Sequence, residues 1–246
     1  INSQRVLTVA TDSIIKLWST QGGSFKLENE IEIPSAWGEV QTVALVSGAE
    51  DKLFFGGAGK TVEFAKFEAG FFAGSSSNSE FTAKLKEATT EVALKVKSPV
   101  LKLRLTQDSK WLSVVSEDEA LSLYNLEGGH SVVCGPGHKE CSVKFGEVDS
   151  SGEYVATTGT DGHINFYKFT DAHKREVKYL SKVKVSEKTV TADKEQHFEL
   201  QWLPESQSML VGGSKHIGIV NMDEDDETQW DIMHEERISM DDPIQK

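Results

Sequence analysis

One short pattern of residues recurs five times along the chain and limits the fold more than any other feature. Each copy has a turn residue, two or three variable positions, an aliphatic residue, a spacer, a second apolar residue and usually an aromatic one. The copies occupy residues 12–18, 59–65, 118–124, 161–167 and 214–220. Their end points at 18, 65, 124, 167 and 220 give spacings of 47, 59, 43 and 53 residues. Recurrence at periods of ~20–50 residues is typical of chains built from repeated structural units, and the shorter spacings fall in this range.

Further apolar runs precede each copy and read as β-strands. One run ends just before each turn, at residues 6–10, 53–55, 112–115, 154–157 and 209–211. About ten residues earlier, a run with period-two alternation lies at 100–105, 141–145 and 198–202. Such alternation is typical of strands with one buried face. Because no 3.6-residue periodicity is sustained, the sequence predicts an all-β fold with little helix.

Three or four short strands per repeat are what a propeller blade requires. We therefore predict a WD-repeat β-propeller that forms a single domain over residues 1–246. Five recognisable repeats fit a seven-blade ring of which part lies outside this chain. A segment around Trp230 is expected to lead into a further strand, and residues 71–80 and 174–194 are predicted to be flexible insertions, the first because it is rich in glycine and serine.

The fourth copy resembles the WD-repeat consensus over residues 137–169. In that family a histidine, a serine or threonine, an aspartate in the tight turn and a terminal tryptophan form a buried hydrogen-bonded set. The resemblance implies that His138, Thr157 and Asp161 take these places, with Tyr167 in place of the tryptophan. Such a set is structural, because buried polar groups must satisfy one another.

Charge is unevenly distributed in this acidic chain, whose formal net charge is −13. Residues 221–246 hold ten acidic and two basic residues, whereas residues 174–188 are rich in lysine. The ordinary interpretation of both runs is a solvated loop. Lys182 and Lys184 are nevertheless candidate partner contacts. Trp37, in a turn flanked by proline and glycine, is expected to be an exposed interface anchor, whereas Trp111 heads a strand and is expected to be buried.

Several apparent chemical motifs do not meet the requirements of their chemistry. The glycine-rich residues 55–61 lack the first glycine of a phosphate-binding loop and precede a strand, so we expect a tight turn between strands. His130, Cys134, His138 and Cys141 carry zinc-ligand atoms without paired-ligand spacing. The acidic residues 223–227 lack the spaced ligands and glycine of a calcium loop. No nucleophile-elbow motif occurs. We predict a protein that is not an enzyme and has no catalytic, cofactor or metal site.

The sequence also bounds the compartment. Two cysteines are too few for a disulfide framework, which favours a reducing compartment. No apolar run approaches the length of a membrane span, and no secretory leader is visible, so no membrane association is expected.

Beyond generic WD repeats, the order of features resembles the replisome adaptors that carry WD repeats followed by an HMG-box region, the acidic nucleoplasmic DNA-binding protein family. The resemblance rests on residues 61–64 leading to 67–70, the regular repeat at 137–169, the apolar–Trp–x–Pro strand end at 198–204 and the segment at Trp230. It implies a scaffold, nuclear or cytoplasmic with the nucleus favoured, that docks other proteins of a multi-subunit assembly and associates indirectly with chromatin or nucleic acid. Two alternatives stay open: a non-catalytic WD subunit of an RNA-modifying enzyme or ribonucleoprotein complex, and a propeller hydrolase.

Overall fold

The fold is known from a computed structural model, which describes residues 5–10, 12, 14–20, 24–72, 78–106, 109–118, 121–134, 143–149, 151–159, 161–171, 173–185, 199–203, 206–212, 216–223 and 225–237. The chain divides into two compact units, residues 1–105 and residues 106–246. A single domain over residues 1–246 therefore stays a prediction.

The first unit is almost entirely β-structure over its described residues. Its elements are β1 (Arg5–Val9), β2 (Ile14–Ser19), β3 (Lys26–Glu32), a 3₁₀ helix (Ser35–Trp37), β4 (Val40–Val46), β5 (Glu50–Gly57), β6 (Thr61–Glu68), α1 (Asn78–Glu87), β7 (Thr90–Lys95) and β8 (Val100–Leu105). Strands β1 to β3 and strands β4 to β7 form two antiparallel sheets, each in chain order.

The segment after β6 contributes aromatic side chains to the core, which its composition, rich in glycine and serine, does not suggest. Phe71 and Phe72 are buried, and Phe71 stacks on Phe81 of α1 with ring centroids 4.5 Å apart. Phe81 and Leu85 are four residues apart on α1, so both face the core. The predicted insertion at residues 71–80 thus includes two buried aromatic residues at its start and the first residues of α1 at its end, and its flexibility stays a prediction. Residues 73–77 lie outside the described part.

The glycine-rich residues 55–61 join β5 to β6 in an antiparallel hairpin, as predicted. A Cβ atom on Gly57 would lie only 2.0 Å from the carbonyl oxygen of Glu39. Glycine is therefore required here by the close approach of two backbone segments, and phosphate binding is not needed to explain it.

In the described residues of the second unit, the regular secondary structure is β-strand. The strands are β9 (Trp111–Ser116), β10 (Leu121–Asn125), β11 (Ser131–Cys134), β12 (Val143–Val148), β13 (Tyr154–Gly159), β14 (His163–Phe169), β15 (Val177–Lys184), β16 (Glu199–Trp202), β17 (Ser208–Gly212), β18 (His216–Met222) and β19 (Trp230–Arg237). Strands β12 to β15 and β16 to β19 form four-stranded antiparallel sheets, and β9, β10 and β11 pair antiparallel in the same order.

The sheet of β12 to β15 is covered on both faces, which explains why β13 and the middle of β14 are buried throughout. One face carries Ile164 and Phe166, in a cluster with Trp202 and Trp230 of the following sheet. The other carries Val155 and Tyr167, in a cluster with residues of β9, β10 and β11. Because neighbouring sheets pack on both of its apolar faces, the inner strands of this sheet have no face open to solvent.

The strands expected from the repeat and its preceding runs are present, which confirms those predictions. The outer strands β3, β7, β11 and β15 carry no part of the pattern, whereas β19 begins at Trp230, where a further strand was expected. Within the insertion predicted for 174–194, Val177–Lys184 forms β15 and pairs with β14, and the flexibility of the insertion stays a prediction. Residues 186–194 lie outside the described part. In the part of the chain that is described, no helix has the length and apolarity needed to cross a membrane.

Candidate interaction surface

The predicted WD hydrogen-bond set falls on the sheet of β12 to β15. Thr157 on β13 lies opposite Asn165 on β14, and Tyr167 follows on the same face. Thr157 and Tyr167 are buried. Asp161 lies in the turn between these strands, where its Oδ1 accepts a hydrogen bond from the backbone N–H of His163 at 3.1 Å. Because His138 lies outside the described residues, the complete set stays a prediction.

Asn165 is a buried polar residue that sequence reasoning missed. It is fully buried, and neither atom of its side-chain amide has a hydrogen-bond partner among the described residues. Alternation between Ile164 and Phe166 suggests that the intervening side chain faces water. This inference fails because the sheet is covered on both faces, a tertiary property that strand periodicity does not report.

Trp37 is not the exposed anchor that the sequence predicts. Its side chain is only 8% exposed, because the indole stacks on Phe55 with ring centroids 4.4 Å apart and an interplanar angle of 5°. It lines a cleft of about 240 Å³, in which the ionisable groups are the carboxylates of Glu39 and Glu63. Trp37 therefore stabilises the wall of an acidic cleft. The burial predicted for Trp111 is confirmed at 1% exposure.

Lys182 and Lys184 lie on the outer strand β15. Both are exposed, and they lie opposite Asn165 and His163 of β14. Lys178 is also exposed, and the side chain of Tyr179 is 43% exposed. The strand contains no acidic residue, so it forms a basic strip in an acidic chain. Lys182 and Lys184 are thus accessible to a partner, and their contact with one stays a prediction.

The acidic loop between β18 and β19 is held in a defined shape. Asp223 accepts hydrogen bonds from the backbone N–H groups of Asp225 and Asp226, at 2.8 and 3.1 Å. Asp226 in turn accepts bonds from the backbone and the hydroxyl of Thr228, and these bonds lower the pKa of its carboxyl group. The loop is therefore organised by its own polar groups.

Glu227 fastens this loop to the sheet of β12 to β15. Its Oε2 accepts hydrogen bonds from the ammonium group of Lys168 and, at 3.0 Å, from the hydroxyl of Tyr154. The bond from Lys168, followed by that from Tyr154, lowers the pKa of Glu227. The same ion pair raises the pKa of Lys168. The other carboxylates of the loop therefore lie next to the Lys168–Glu227 ion pair, which has no net charge.

The residues with zinc-ligand atoms are only partly described. Cys134 is buried in an apolar cluster, and burial raises the pKa of its thiol to about 12. His130 Nε2 lies 3.3 Å from the carbonyl oxygen of Lys174. His138 and Cys141 lie outside the described part. Within the described residues no three His, Cys, Asp or Glu side chains are grouped so as to hold a metal ion.

Comparison with known proteins gives a likeness of structure. No family model matches the sequence, and no curated protein matches it. Among solved structures, Hsv2 of Kluyveromyces lactis is similar over 97% of this chain and 72% of its own, with a TM-score of 0.63 and 12% identity. A second structure of that protein, with complete loop 6CD, gives a TM-score of 0.63 at 11% identity over the same shares. The WD40 β-propeller domain of Doa1 matches 95% of this chain and 64% of its own, with a TM-score of 0.57 and 15% identity. At these identities the likeness concerns the fold, and the chain has the all-β, WD-repeat β-propeller fold that its repeat predicts.

Proposed function

We propose that this chain is a non-catalytic platform on which other proteins assemble. The observation that carries the proposal is the burial of both faces of one sheet. In the second unit, the apolar faces of the sheet of β12 to β15 pack against neighbouring sheets. Loops and outer strands are then the surface offered to partners. That surface includes a basic strip on β15 and an acidic loop after β18, which suit partners of opposite charge.

The specific role we propose is that of a replisome or chromatin adaptor in the nucleus. The support for it is the resemblance in the order of features, from the connector at residues 67–70 to the segment at Trp230. Such an adaptor acts by docking several partners at once, because tethering raises their effective concentration without one tight contact.

Affinity purification of the full-length protein from dividing cells, followed by mass spectrometry, tests this role. We expect recovery of replication proteins such as helicase and primase–polymerase components. The variant Lys182→Glu/Lys184→Glu should lose part of this set, and Lys26→Glu/Lys95→Glu, at exposed positions of β3 and β7, is a control for the same change of charge. Recovery of no stable protein partner would count against the platform itself.

The basic strip also supports a second candidate, a non-catalytic WD subunit of an RNA-modifying enzyme or ribonucleoprotein complex. Lysine side chains spaced along one strand suit a phosphate backbone. RNA binding by the purified protein should then fall when Lys182 and Lys184 are changed to glutamate. The affinity of the unmodified protein for RNA should also depend more steeply on salt concentration than that of the variant. Unchanged binding removes this candidate.

A further inference from the structure

The outer strands of the sheets are protected in two ways against pairing with another chain. A β-bulge interrupts the register of β2 with β3, of β6 with β7, of β14 with β15 and of β18 with β19. These four outer strands also carry charged residues. Bulges and charges are the usual devices that keep sheet edges from associating.

Strand β11 has neither form of protection. Its sequence is Ser131-Val132-Val133-Cys134, without a charge, and it pairs with β10 in an unbroken register. It lies at the end of its sheet, and the side chain of Val133 is 58% exposed. Within the described residues, β11 is thus the outer strand best suited to accept another strand.

The hydrogen-bond pattern shows which groups β11 offers. The N–H of Asn125 donates to the carbonyl of His130 at 2.8 Å, so residues 130, 132 and 134 direct their backbone groups toward β10. Because the direction alternates along an antiparallel strand, Ser131 and Val133 direct their N–H and C=O groups away from β10. Two donors and two acceptors are therefore aligned at the edge.

The surroundings of this edge indicate the charge of an added strand. Val132 and Cys134 face the apolar cluster that contains Tyr167, and β11 approaches β15 on that side. Tyr179 and Lys182 lie opposite Tyr167 and Asn165, so they share this face. Side chains of an added strand that align with Val132 and Cys134 project toward this basic face, whereas those that align with Val133 meet an exposed valine.

We propose that β11 binds an extended segment of a partner protein in which acidic and apolar residues alternate, by adding it as a strand to the sheet edge. Four backbone hydrogen bonds supply the contact, and Lys182 and Lys184 select for acid. The inference rests on the proposed platform function, to which it adds a surface and a class of partner. So small an edge gives a modest affinity, which suits simultaneous docking of several partners.

A blocked hexapeptide of alternating glutamate and valine, added to the full chain labelled with ¹⁵N, is the direct probe. We expect amide exchange at Ser131 and Val133 to slow at least tenfold. Val133→Pro should abolish binding, because proline removes an outward N–H and no bond to β10. Val133→Thr is the matched control, since it keeps the N–H, and Val133→Glu should weaken binding at least tenfold, because a carboxylate replaces the apolar contact with a valine of the peptide. Circular dichroism confirms that each variant is folded.

The charge requirement is tested with the same peptide carrying lysine in place of glutamate, which should bind at least tenfold more weakly. Lys182→Glu/Lys184→Glu should reverse this preference. Three results would each overturn the inference. The first is slowed amide exchange at residues outside β11, and the second is self-association of the chain through β11. The third is displacement of partner proteins by RNA but not by the acidic peptide. If Val133→Pro leaves all partners recovered from cells unchanged, strand addition is wrong and the platform stands; if no partner is recovered at all, the platform is wrong.

Discussion

Single residues in the second unit show how local electrostatics holds a loop on a sheet. Glu227 accepts hydrogen bonds from two residues of the neighbouring sheet, Lys168 and Tyr154, and its backbone carbonyl accepts one from the indole N–H of Trp230 at 3.0 Å. The lowered pKa of Glu227 and the raised pKa of Lys168 both express the same ion pair. Since the two side chains are 42% and 33% exposed, solvent screening keeps the contribution of this pair to stability small.

Replacing Lys168 by methionine should lower the free energy of unfolding by at most about 1 kcal/mol at pH 7. The folded pKa of Glu227 is below its unfolded value, so its contribution is present above that unfolded value and is lost as pH falls through the folded pKa. The folded pKa of Lys168 is above its unfolded value, so its contribution is lost as pH rises through that folded pKa. The deficit should therefore be largest between about pH 4.5 and pH 10.

Urea unfolding of the unmodified protein and the variant at pH 4, 7 and 9 measures this deficit. Lys26→Met on β3 is a control for loss of an exposed lysine. A deficit of the same size when the measurement is extended below the folded pKa of Glu227 would show that the contact of the Lys168 ammonium group with the ring of Tyr154, 5.2 Å from its centroid, causes it instead of the ion pair.

At the level of strands, the sequence predicts those of the repeat and of the apolar runs before it, and it misses most of the outer strands. Strand β14, for example, combines a turn residue with alternating apolar positions and is buried by sheets on either side. The outer strands β3 and β15 read Lys-Leu-Glu-Asn-Glu-Ile-Glu and Val-Lys-Tyr-Leu-Ser-Lys-Val-Lys. Their charges reflect an exposed edge, and only the pairing partner makes them strands.

The functional surface is less predictable than the strands for the same reason. Exposure of Trp37 was inferred from its turn, but Phe55, eighteen residues away, buries it by stacking. Lys182 and Lys184 could be singled out by charge, whereas the outward backbone groups of Ser131 and Val133 follow from register alone. Residue type does not report which backbone groups of an edge strand point away from its neighbour, because that depends on how the two strands pair.

The hairpin of β5 and β6 provides a test at this scale. Gly57→Ala should destabilise the protein by about 1–3 kcal/mol, because the new Cβ overlaps the carbonyl oxygen of Glu39 and backbone must move. Gly59→Ala, two residues later, is the matched control: its Cβ would meet only the Thr61 hydroxyl at 3.6 Å, an ordinary contact. Chemical denaturation measures both. Equal effects would mean that the close approach of Gly57 to the carbonyl oxygen of Glu39 does not determine the loss of stability.

At the scale of the whole molecule, one buried thiol reports whether the stacked sheets of the second unit open. Cys134 is the last residue of β11, and its side chain packs toward the sheet of β12 to β15 in a cluster that contains Trp111, Tyr167 and Phe169. Burial raises its pKa to about 12, so almost no thiolate exists at pH 8 in the folded state. Reaction with a thiol reagent therefore requires the cluster to open.

In a Cys141→Ser background, labelling of Cys134 at pH 8 should be roughly a thousandfold slower in the native protein than in urea, as expected for a thiol whose pKa falls from about 12 to about 8.5 on unfolding. The rate should rise with urea in step with loss of the folded fraction, because opening this cluster separates β11 from the sheet of β12 to β15. Binding of the acidic peptide at the β11 edge should slow it further, since ligation of the folded state lowers the population of open states. Labelling within tenfold of the unfolded rate in native buffer would instead mean that β11 detaches from the stacked sheets on its own, and a strand that detaches so readily cannot present the aligned edge that strand addition requires.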